Sequence, residues 1–116
     1  WEGHSIRGVV PMLFDGRLPD FNLGTVDGGS CQPALRAALA EALASQVGYT
    51  HVVDGRFKGG HITRHYGQPT QGVDAVQLEL VQRTYMDEDS FTYLSERAVG
   101  VEAVLRELLD VCLTSL

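Results

Sequence analysis

The strongest constraint on the fold is a helical segment that leads into an extended one within two residues. Between residues 32 and 47, leucines recur at every fourth position among alanines: Leu35, Leu39 and Leu43. This spacing predicts an amphipathic helix, which Gly48 is expected to end. Residues 49–53 then have the composition of a strand. A helix that leads directly into a strand favours α/β layers, in which helices cover a sheet.

The second half of the chain has the reverse order, a strand followed by a closing helix. Residues 75–81, Ala-Val-Gln-Leu-Glu-Leu-Val, are typical of a strand. Residues 95–114 carry their apolar side chains on one helical stripe. Two shorter segments, 13–14 and 21–23, are weaker strand candidates. The whole pattern predicts an α/β fold with helices packed on a sheet.

Length and charge exclude several classes of protein. A chain of 116 residues accommodates one hydrophobic core, so we expect residues 1–116 to form a single domain. Its net charge of -6 disfavours general binding to nucleic acids or to anionic membranes. No apolar run approaches the roughly 18 residues of a membrane span. We therefore expect a small-molecule ligand, with neither a nucleic-acid partner nor membrane association.

The cysteines indicate the redox compartment of the protein, and the first residue indicates how the sequence relates to a longer chain. Cys31 and Cys112 lie far apart, which fits neither a disulfide framework nor a zinc-binding cysteine pair. We expect both in the core of a protein from a reducing compartment, the cytoplasm. Because the sequence starts at Trp1 and not at Met, we also expect it to be an internal part of a longer protein.

A carboxylate in the middle of the 75–81 strand is the first candidate for chemistry. Alternation places Gln77 and Glu79 on one face of this strand and Leu78 and Leu80 on the other. A mid-strand carboxylate is costly to bury unless it is paired or lies in a cleft. Glu79 is therefore a candidate general base or metal ligand. The alternative is an edge-strand glutamate that faces water.

A glycine-punctuated loop concentrates cations in this otherwise acidic chain. Residues 56–67 hold two arginines, one lysine and two histidines: Arg56, Lys58, His61, Arg64 and His65. The planar fork of arginine donates two hydrogen bonds to one anion, so the loop is a candidate receiver for a carboxylate or phosphate. The alternative is a solvent-exposed basic loop whose positive charge offsets the negative charge of nearby acidic residues.

Two histidines in this loop, His61 and His65, have the spacing of metal ligands on a helix. They follow two glycines and enclose Ile62-Thr63, so we expect no helix there. The segment also lacks the glutamate of the His-Glu-x-x-His zinc motif. As an isolated zinc motif it is weak.

Several long motifs carry a family resemblance. They are Asp-Gly-Arg-Phe-Lys-Gly-Gly-His-Ile-Thr-Arg-His-Tyr-Gly-Gln-Pro at 54–69, Gly-Val-Asp-Ala-Val-Gln-Leu-Glu-Leu-Val-Gln-Arg-Thr-Tyr-Met at 72–86, Gly-His-Ser-Ile-Arg at 3–7 and Leu-Gly-Thr-Val-Asp-Gly at 23–28. Together they closely resemble the N-formylglutamate amidohydrolase (N-formylglutamate deformylase) family, which is related to zinc carboxypeptidases. The resemblance implies a mixed sheet flanked by helices, part of a three-layer zinc-carboxypeptidase-like (phosphorylase/hydrolase-like) fold. Residues 1–116 correspond to the C-terminal part of the family's chain, so its N-terminal part is an expected partner.

The resemblance also implies an activity, the zinc-dependent hydrolysis of N-formyl-L-glutamate to L-glutamate and formate in histidine degradation. By the family's motifs, His4 matches the last zinc ligand and Glu79 the catalytic glutamate. The substrate's carboxylates would meet Arg56, Lys58, Arg64 and His65. The family's first two zinc ligands belong to a segment upstream of Trp1, so the zinc site is incomplete here. We expect the chain alone to be inactive.

Two positions depart from the family's pattern, and two alternative functions stay open. His61 stands where the family has an aromatic residue, usually tyrosine, and Asp74 stands where it has a histidine. A non-catalytic module that binds small dicarboxylates would use the same basic residues and leave Glu79 structural. A piece of a larger assembly would have no separate activity. An enzyme needs zinc and two further ligands, whereas a binding module needs neither.

Overall fold

A computed structural model describes residues 1–116, which form four strands and three α-helices. In chain order they are β1 (Glu2–Ile6), β2 (Phe21–Gly24), α1 (Pro33–Ala44), β3 (His51–Val53), α2 (His61–Tyr66), β4 (Gln77–Val81) and α3 (Ser95–Thr114). Short 3-10 turns cover Pro69–Gln71 and Gln82–Thr84. None of the helices has the combination of length and apolar character needed to cross a membrane.

The strands form one mixed sheet in the order β1-β4-β2-β3. β4 lies inside the sheet, parallel to β1 and antiparallel to β2, while β2 is parallel to β3. β1 pairs on one side only, so its other backbone edge is open. β4, the last strand in the sequence, thus joins β1, the first strand, to the rest of the sheet.

One face of the sheet builds the hydrophobic core. Alternate residues of β2 and β4 point to this face, and they pack against α1 and α3. The core residues include Phe21, Leu23, Leu78 and Leu80 from the strands, Leu39 and Leu43 from α1, and Val101, Val104 and Leu108 from α3. These side chains bury the apolar stripes that the leucine spacing predicts.

The opposite face of the sheet is polar and is partly covered by the segment between β3 and β4. The backbone N–H of Gly60 donates to Gln77 Oε1 over 2.6 Å. The hydroxyl of Thr63, in α2, donates to Glu2 Oε2, also over 2.6 Å. Helices therefore flank the sheet on both sides, with α1 and α3 on the apolar face and the short α2 near the polar face.

These observations confirm the expected α/β fold with a mixed sheet flanked by helices. The closing helix spans the predicted residues, while α1 ends at Ala44 rather than near residue 47. The 21–23 candidate is a strand, whereas residues 13–14 lie in a turn that Val10 O closes by accepting from Leu13 and Phe14. β1 was not among the predicted strands.

The expectation of no helix at residues 61–66 is wrong. α2 forms there although Ile62 and Thr63 are β-branched, because tertiary contacts outweigh the weak local preference. Thr63 is fully buried, and both its N–H and its hydroxyl donate to the Glu2 carboxylate. Glu2 comes from the far end of the sequence, so no local pattern could indicate this helix.

Asp54 joins three segments around the polar face. Its carboxylate accepts hydrogen bonds from the N–H and hydroxyl of Thr25, each over 2.6 Å, and from the guanidinium of Arg36 over 2.9 Å. Burial alone would raise the pKa of Asp54, but the hydrogen bonds from Thr25 and Arg36 prevail and hold this pKa below its usual value. The carboxylate thus fixes the start of the basic loop against α1 and against the turn after β2.

We predict that Asp54→Asn lowers the free energy of unfolding by about 1–3 kcal/mol at pH 7, since it removes the charge from a buried carboxylate that accepts from Thr25 and the half-exposed Arg36. Asparagine tolerates the left-handed φ of +53° at this position, so the backbone should persist. The depressed pKa makes the wild-type contribution present above the unfolded pKa of about 3.9 and lost as pH falls further. Chemical denaturation at pH 7 and pH 3 measures both effects.

Asp27→Asn is the matched control for this substitution. Asp27 also has a left-handed φ, of +54°, and an ion pair, with Lys58, but both partners are exposed. Exposed pairs contribute roughly 0–1 kcal/mol, so the control should change stability little. Equal effects of the two substitutions would contradict the role of Asp54.

Candidate active site

The parallel pairing of β1 with β4 brings His4 and Glu79 together. The two residues are register partners, and both side chains point to the polar face. Glu2 and Gln77 form the adjacent pair on the same face, and Asn22 of β2 is the register partner of Glu79 on its other side. A histidine, two carboxylates and two amides therefore share one stretch of the sheet.

Glu79 is a buried carboxylate on an inner strand. Only 9% of the residue is exposed, so the alternative of an edge-strand glutamate that faces water is wrong. Burial raises the pKa of Glu79, while the nearby His4 acts in the opposite direction. Asn22 donates a 3.1 Å hydrogen bond to the backbone carbonyl of Glu79. No protein group donates a hydrogen bond to the side-chain carboxylate of Glu79. The carboxylate is thus available to a ligand.

His4 is oriented by a carboxylate from its own strand. Its Nε2 lies 2.8 Å from Glu2 Oε1, and the second oxygen of Glu2 accepts from Thr63. The hydrogen bond with Glu2 raises the pKa of His4, and the bonds from Thr63 and then His4 lower the pKa of Glu2. This arrangement leaves Nδ1 of His4 for another partner.

A basic cavity of about 390 Å³ reaches β4 at Gln77, two residues before Glu79. It is lined by three cationic residues, two glycines, an aromatic ring and an amide: Arg56, Lys58, Arg64, Gly59, Gly60, Phe57 and Gln77. Gln77 and Glu79 are two residues apart on one strand face, a separation of roughly 7 Å. The cavity and the carboxylate are therefore close enough to contact one small molecule.

The three cationic side chains of the cavity differ in how many of their donors already have a hydrogen-bond acceptor in the protein. Arg56 Nε donates to Leu13 O over 2.6 Å, and Lys58 Nζ lies 3.0 Å from both carboxylate oxygens of Asp27. Arg64 uses its Nε for Gly59 O, over 2.8 Å, and its terminal amino groups have no partner in the protein. Arg64 is thus the cation best placed to receive an anion.

His65 does not line the cavity. Its ring stacks on that of His61, with centroids 5.2 Å apart, and meets the ring of Tyr66 edge-on at 4.7 Å. The structure therefore brings together Arg56, Lys58 and Arg64 in one group, His4 and Glu79 in another, and leaves His65 beside the first group.

Gly24 sets how closely the basic loop approaches the sheet. A Cβ at this position would lie 2.6 Å from the backbone carbon of Lys58 and 2.8 Å from the nitrogen of Gly59. Glycine at the end of β2 thus allows the loop to cross directly over the strand. Val26 N, two residues later, donates to Lys58 O over 2.7 Å and fixes this approach.

The sequence did not single out Glu2 and Asn22. Glu2 orients His4, but no strand was predicted at residues 2–6, so their shared face was not apparent. Asn22 is 1% exposed, and its Oδ1 has no hydrogen-bond partner in the protein. A polar residue between Phe21 and Leu23 is the local signal that could have identified it.

The remaining candidates have structural surroundings. Asp74 Oδ1 accepts from the N–H of Gln32 over 2.7 Å, at the residue that precedes α1. Cys31 is buried in the core, and burial raises the pKa of its thiol to about 11. Cys112 packs against the same core and is half-buried, and burial raises its pKa as well. The expected core positions of both cysteines are thus confirmed.

A second cleft, of about 430 Å³, lies at the other end of β4. Its lining includes Arg83, which already donates to Asp20 Oδ1 over 2.7 Å and to the carbonyl of Leu18. No histidine or cysteine lines this cleft. Its lining includes the Arg83–Asp20 ion pair but no histidine beside a buried carboxylate, so we place the candidate site at His4 and Glu79.

The known proteins that are similar in sequence to this chain are N-formylglutamate amidohydrolases, also called N-formylglutamate deformylases. The family model for N-formylglutamate amidohydrolase matches residues 1–86. An N-formylglutamate deformylase of Pseudomonas aeruginosa is 64% identical over 111 residues, and one of Pseudomonas putida is 55% identical over 114 residues. These alignments cover 95% and 97% of this chain but 42% and 43% of the relatives. The chain thus spans about two-fifths of their length.

A solved structure supports the fold. The crystal structure of an N-formylglutamate amidohydrolase from Ralstonia eutropha superposes with a TM-score of 0.76, over 94% of this chain and 40% of that one. The two sequences are 24% identical over this region, so the likeness concerns the fold alone. The mixed sheet with its flanking helices is therefore an arrangement already observed in a longer protein.

We predict that Glu79→Gln raises the thermal stability of the chain at pH 8 more than at pH 4. The folded-state pKa of Glu79 lies above its unfolded value, so the wild type loses stability as pH rises from the unfolded pKa, about 4.3, through the folded one. Glutamine does not ionise and avoids this loss. Melting temperatures across the pH range measure the difference.

Glu102→Gln is the control, because Glu102 is exposed on α3 and should give a small shift that varies little with pH. A gain in Glu79→Gln that is the same at both pH values would contradict the burial of an ionised carboxylate at this position.

Proposed function

Because the chain belongs to the N-formylglutamate amidohydrolase family, we propose that it forms part of an enzyme that hydrolyses N-formyl-L-glutamate to L-glutamate and formate. The names of the Pseudomonas relatives support this substrate. The observation that carries the proposal is the register pair of His4 and Glu79 beside a basic cavity. In this proposal the chain supplies one metal ligand, the general base and the substrate-carboxylate site.

We further propose that the enzyme depends on zinc and that His4 is one of its ligands. Histidines that bind metal usually have their second ring nitrogen held by a carboxylate, and Glu2 holds Nε2 of His4 in this way. Nowhere in the chain do three or more histidine, cysteine, aspartate or glutamate residues cluster so that they could hold a metal ion. The other ligands would therefore come from outside these 116 residues. When bound, zinc would polarise the formyl oxygen and lower the pKa of a water molecule.

Glu79 is the proposed general base. A water molecule attacks the formyl carbon, and Glu79 accepts the proton that this water loses. Glu79 then returns the proton to the nitrogen as the C–N bond breaks, which releases formate and the amine of glutamate. A raised pKa suits both steps, because a general base works best when its pKa lies near the pH of the reaction.

The basic cavity would select a dicarboxylate. The free amino groups of Arg64 could donate two hydrogen bonds to one carboxylate, with Arg56 and Lys58 providing further positive charge. The formamide and the side-chain carboxylate of formylglutamate are separated by a few covalent bonds, which is comparable with the spacing between Glu79 and Gln77. His65 would act from the rim of the cavity.

The alternative is a module that binds small dicarboxylates without catalysis. It would use the same cavity, and the three cationic residues that line this cavity are the observation that favours it. The two functions differ in what they require of Glu79, which is essential to the enzyme and dispensable for binding.

We predict that Glu79→Gln lowers turnover by about 10² to 10⁴, because it keeps the shape of the side chain and removes the proton acceptor. The test is a chimera in which this chain replaces the 111 matching residues of the Pseudomonas aeruginosa relative. Steady-state deformylation and zinc content are measured for the chimera with and without the substitution.

Glu102→Gln in the same chimera is the control and should leave turnover unchanged. A Glu79→Gln chimera with full zinc content and unchanged turnover would exclude Glu79 as the general base. An inactive chimera that still binds N-formylglutamate, with equal affinity in both forms, would favour the binding module instead.

We also predict that Arg64→Ala raises the KM for N-formylglutamate roughly ten- to a hundredfold. The loss of a charged hydrogen bond costs about 1.5–3 kcal/mol of binding free energy. The KM of a formamide without carboxylates should not change, because that substrate does not make this hydrogen bond. The two substrates are compared in the chimera, with Arg106→Ala, an exposed arginine of α3, as the control. Equal effects on both substrates would contradict carboxylate binding by Arg64.

A further inference from the structure

We propose that His61 and His65 form a binding site for a divalent transition-metal ion, separate from the site at His4. The two residues are the first and fifth of α2, so they lie one helical turn apart on the same side of the helix. Their rings are close to parallel, with an interplanar angle of 14° and a centroid distance of 5.2 Å. The inference rests on this geometry and not on the proposed function.

Both imidazoles are available to a ligand. The two residues are exposed, and neither ring takes part in a hydrogen bond within the protein. By contrast, His4 already uses one ring nitrogen, Nε2, which lies 2.8 Å from Glu2 Oε1. The edge-on contact with Tyr66 helps to hold the ring of His65 in place, which limits the entropy lost when a metal ion is bound.

The spacing of the rings fits chelation of one ion. Two nitrogens on a tetrahedral zinc ion, each about 2.0–2.1 Å from the metal, lie roughly 3.3 Å apart. The observed rings are stacked with centroids 5.2 Å apart, so rotation about the side-chain dihedrals has to turn one nitrogen of each ring towards a shared ion. The helix keeps both side chains on one face, so binding to the first ring brings the second within reach.

The donor set indicates which ions would bind. Two imidazoles with no carboxylate suit Zn²⁺, Ni²⁺ and Cu²⁺ and do not suit Mg²⁺ or Ca²⁺, which prefer oxygen ligands. Water would occupy the remaining coordination positions of the exposed ion. Affinity should follow the general order in which Cu²⁺ binds more tightly than Ni²⁺ or Zn²⁺.

The experiment is calorimetric titration of Ni²⁺ into the chain carrying His4→Gln, which removes the other candidate metal ligand. We expect one Ni²⁺ ion per chain. His61→Gln and His65→Gln should each weaken its affinity about a hundredfold, because the second ring no longer acts at high effective concentration. His51→Gln is the matched control, since His51 is exposed on β3 and should have no effect.

Two results would overturn the site. The first is Ni²⁺ affinity that His61→Gln and His65→Gln leave unchanged in variants whose circular dichroism shows a folded chain. The second is Ni²⁺ binding that His4→Gln alone abolishes, which would assign the ion to His4 and leave the proposed function intact. As a second measurement, Ni²⁺ should raise the melting temperature of the His4→Gln chain, and His61→Gln should remove that rise.

Discussion

The register between β1 and β4 is the constraint on which the candidate site depends. It aligns His4 with Glu79 and Glu2 with Gln77, so every polar side chain of the site stands on the face away from α1 and α3. A shift by one residue would turn His4 towards the apolar face and bring Gly3 or Ser5 beside Glu79. The parallel pairing thus determines which side chains share the polar face as well as the order of the strands.

The polar face is kept in place by contacts that reach across the whole chain. Glu2 anchors Thr63 of α2, and Asp54 ties the basic loop to Arg36 of α1. Each of these carboxylates is satisfied by two or more donors, whereas Glu79 between them has none. The site therefore surrounds one carboxylate without a protein donor, Glu79, with carboxylates whose hydrogen bonds are made within the protein.

The sequence predicted the parts of this structure that depend on local patterns. The leucine spacing identified α1 and α3, and the alternation along β4 identified the face that carries Glu79. It missed β1, whose residues Glu-Gly-His-Ser are not typical of a strand, and it excluded α2, whose Thr63 is held by Glu2 from the other end of the sequence. Long-range partners are invisible to a local pattern, and for this reason Glu2 and Asn22 were not found.

The separation of β1 and β4 in the sequence has a consequence for folding kinetics. His4 and Glu79 meet only when a loop that contains most of the chain has closed, and such non-local pairings form slowly. Helices such as α1 form within about a microsecond and need no distant partner. During synthesis, β1 would lack its β4 partner until β4 had been made. The surface that holds His4 beside Glu79 would therefore be among the last parts of the molecule to appear.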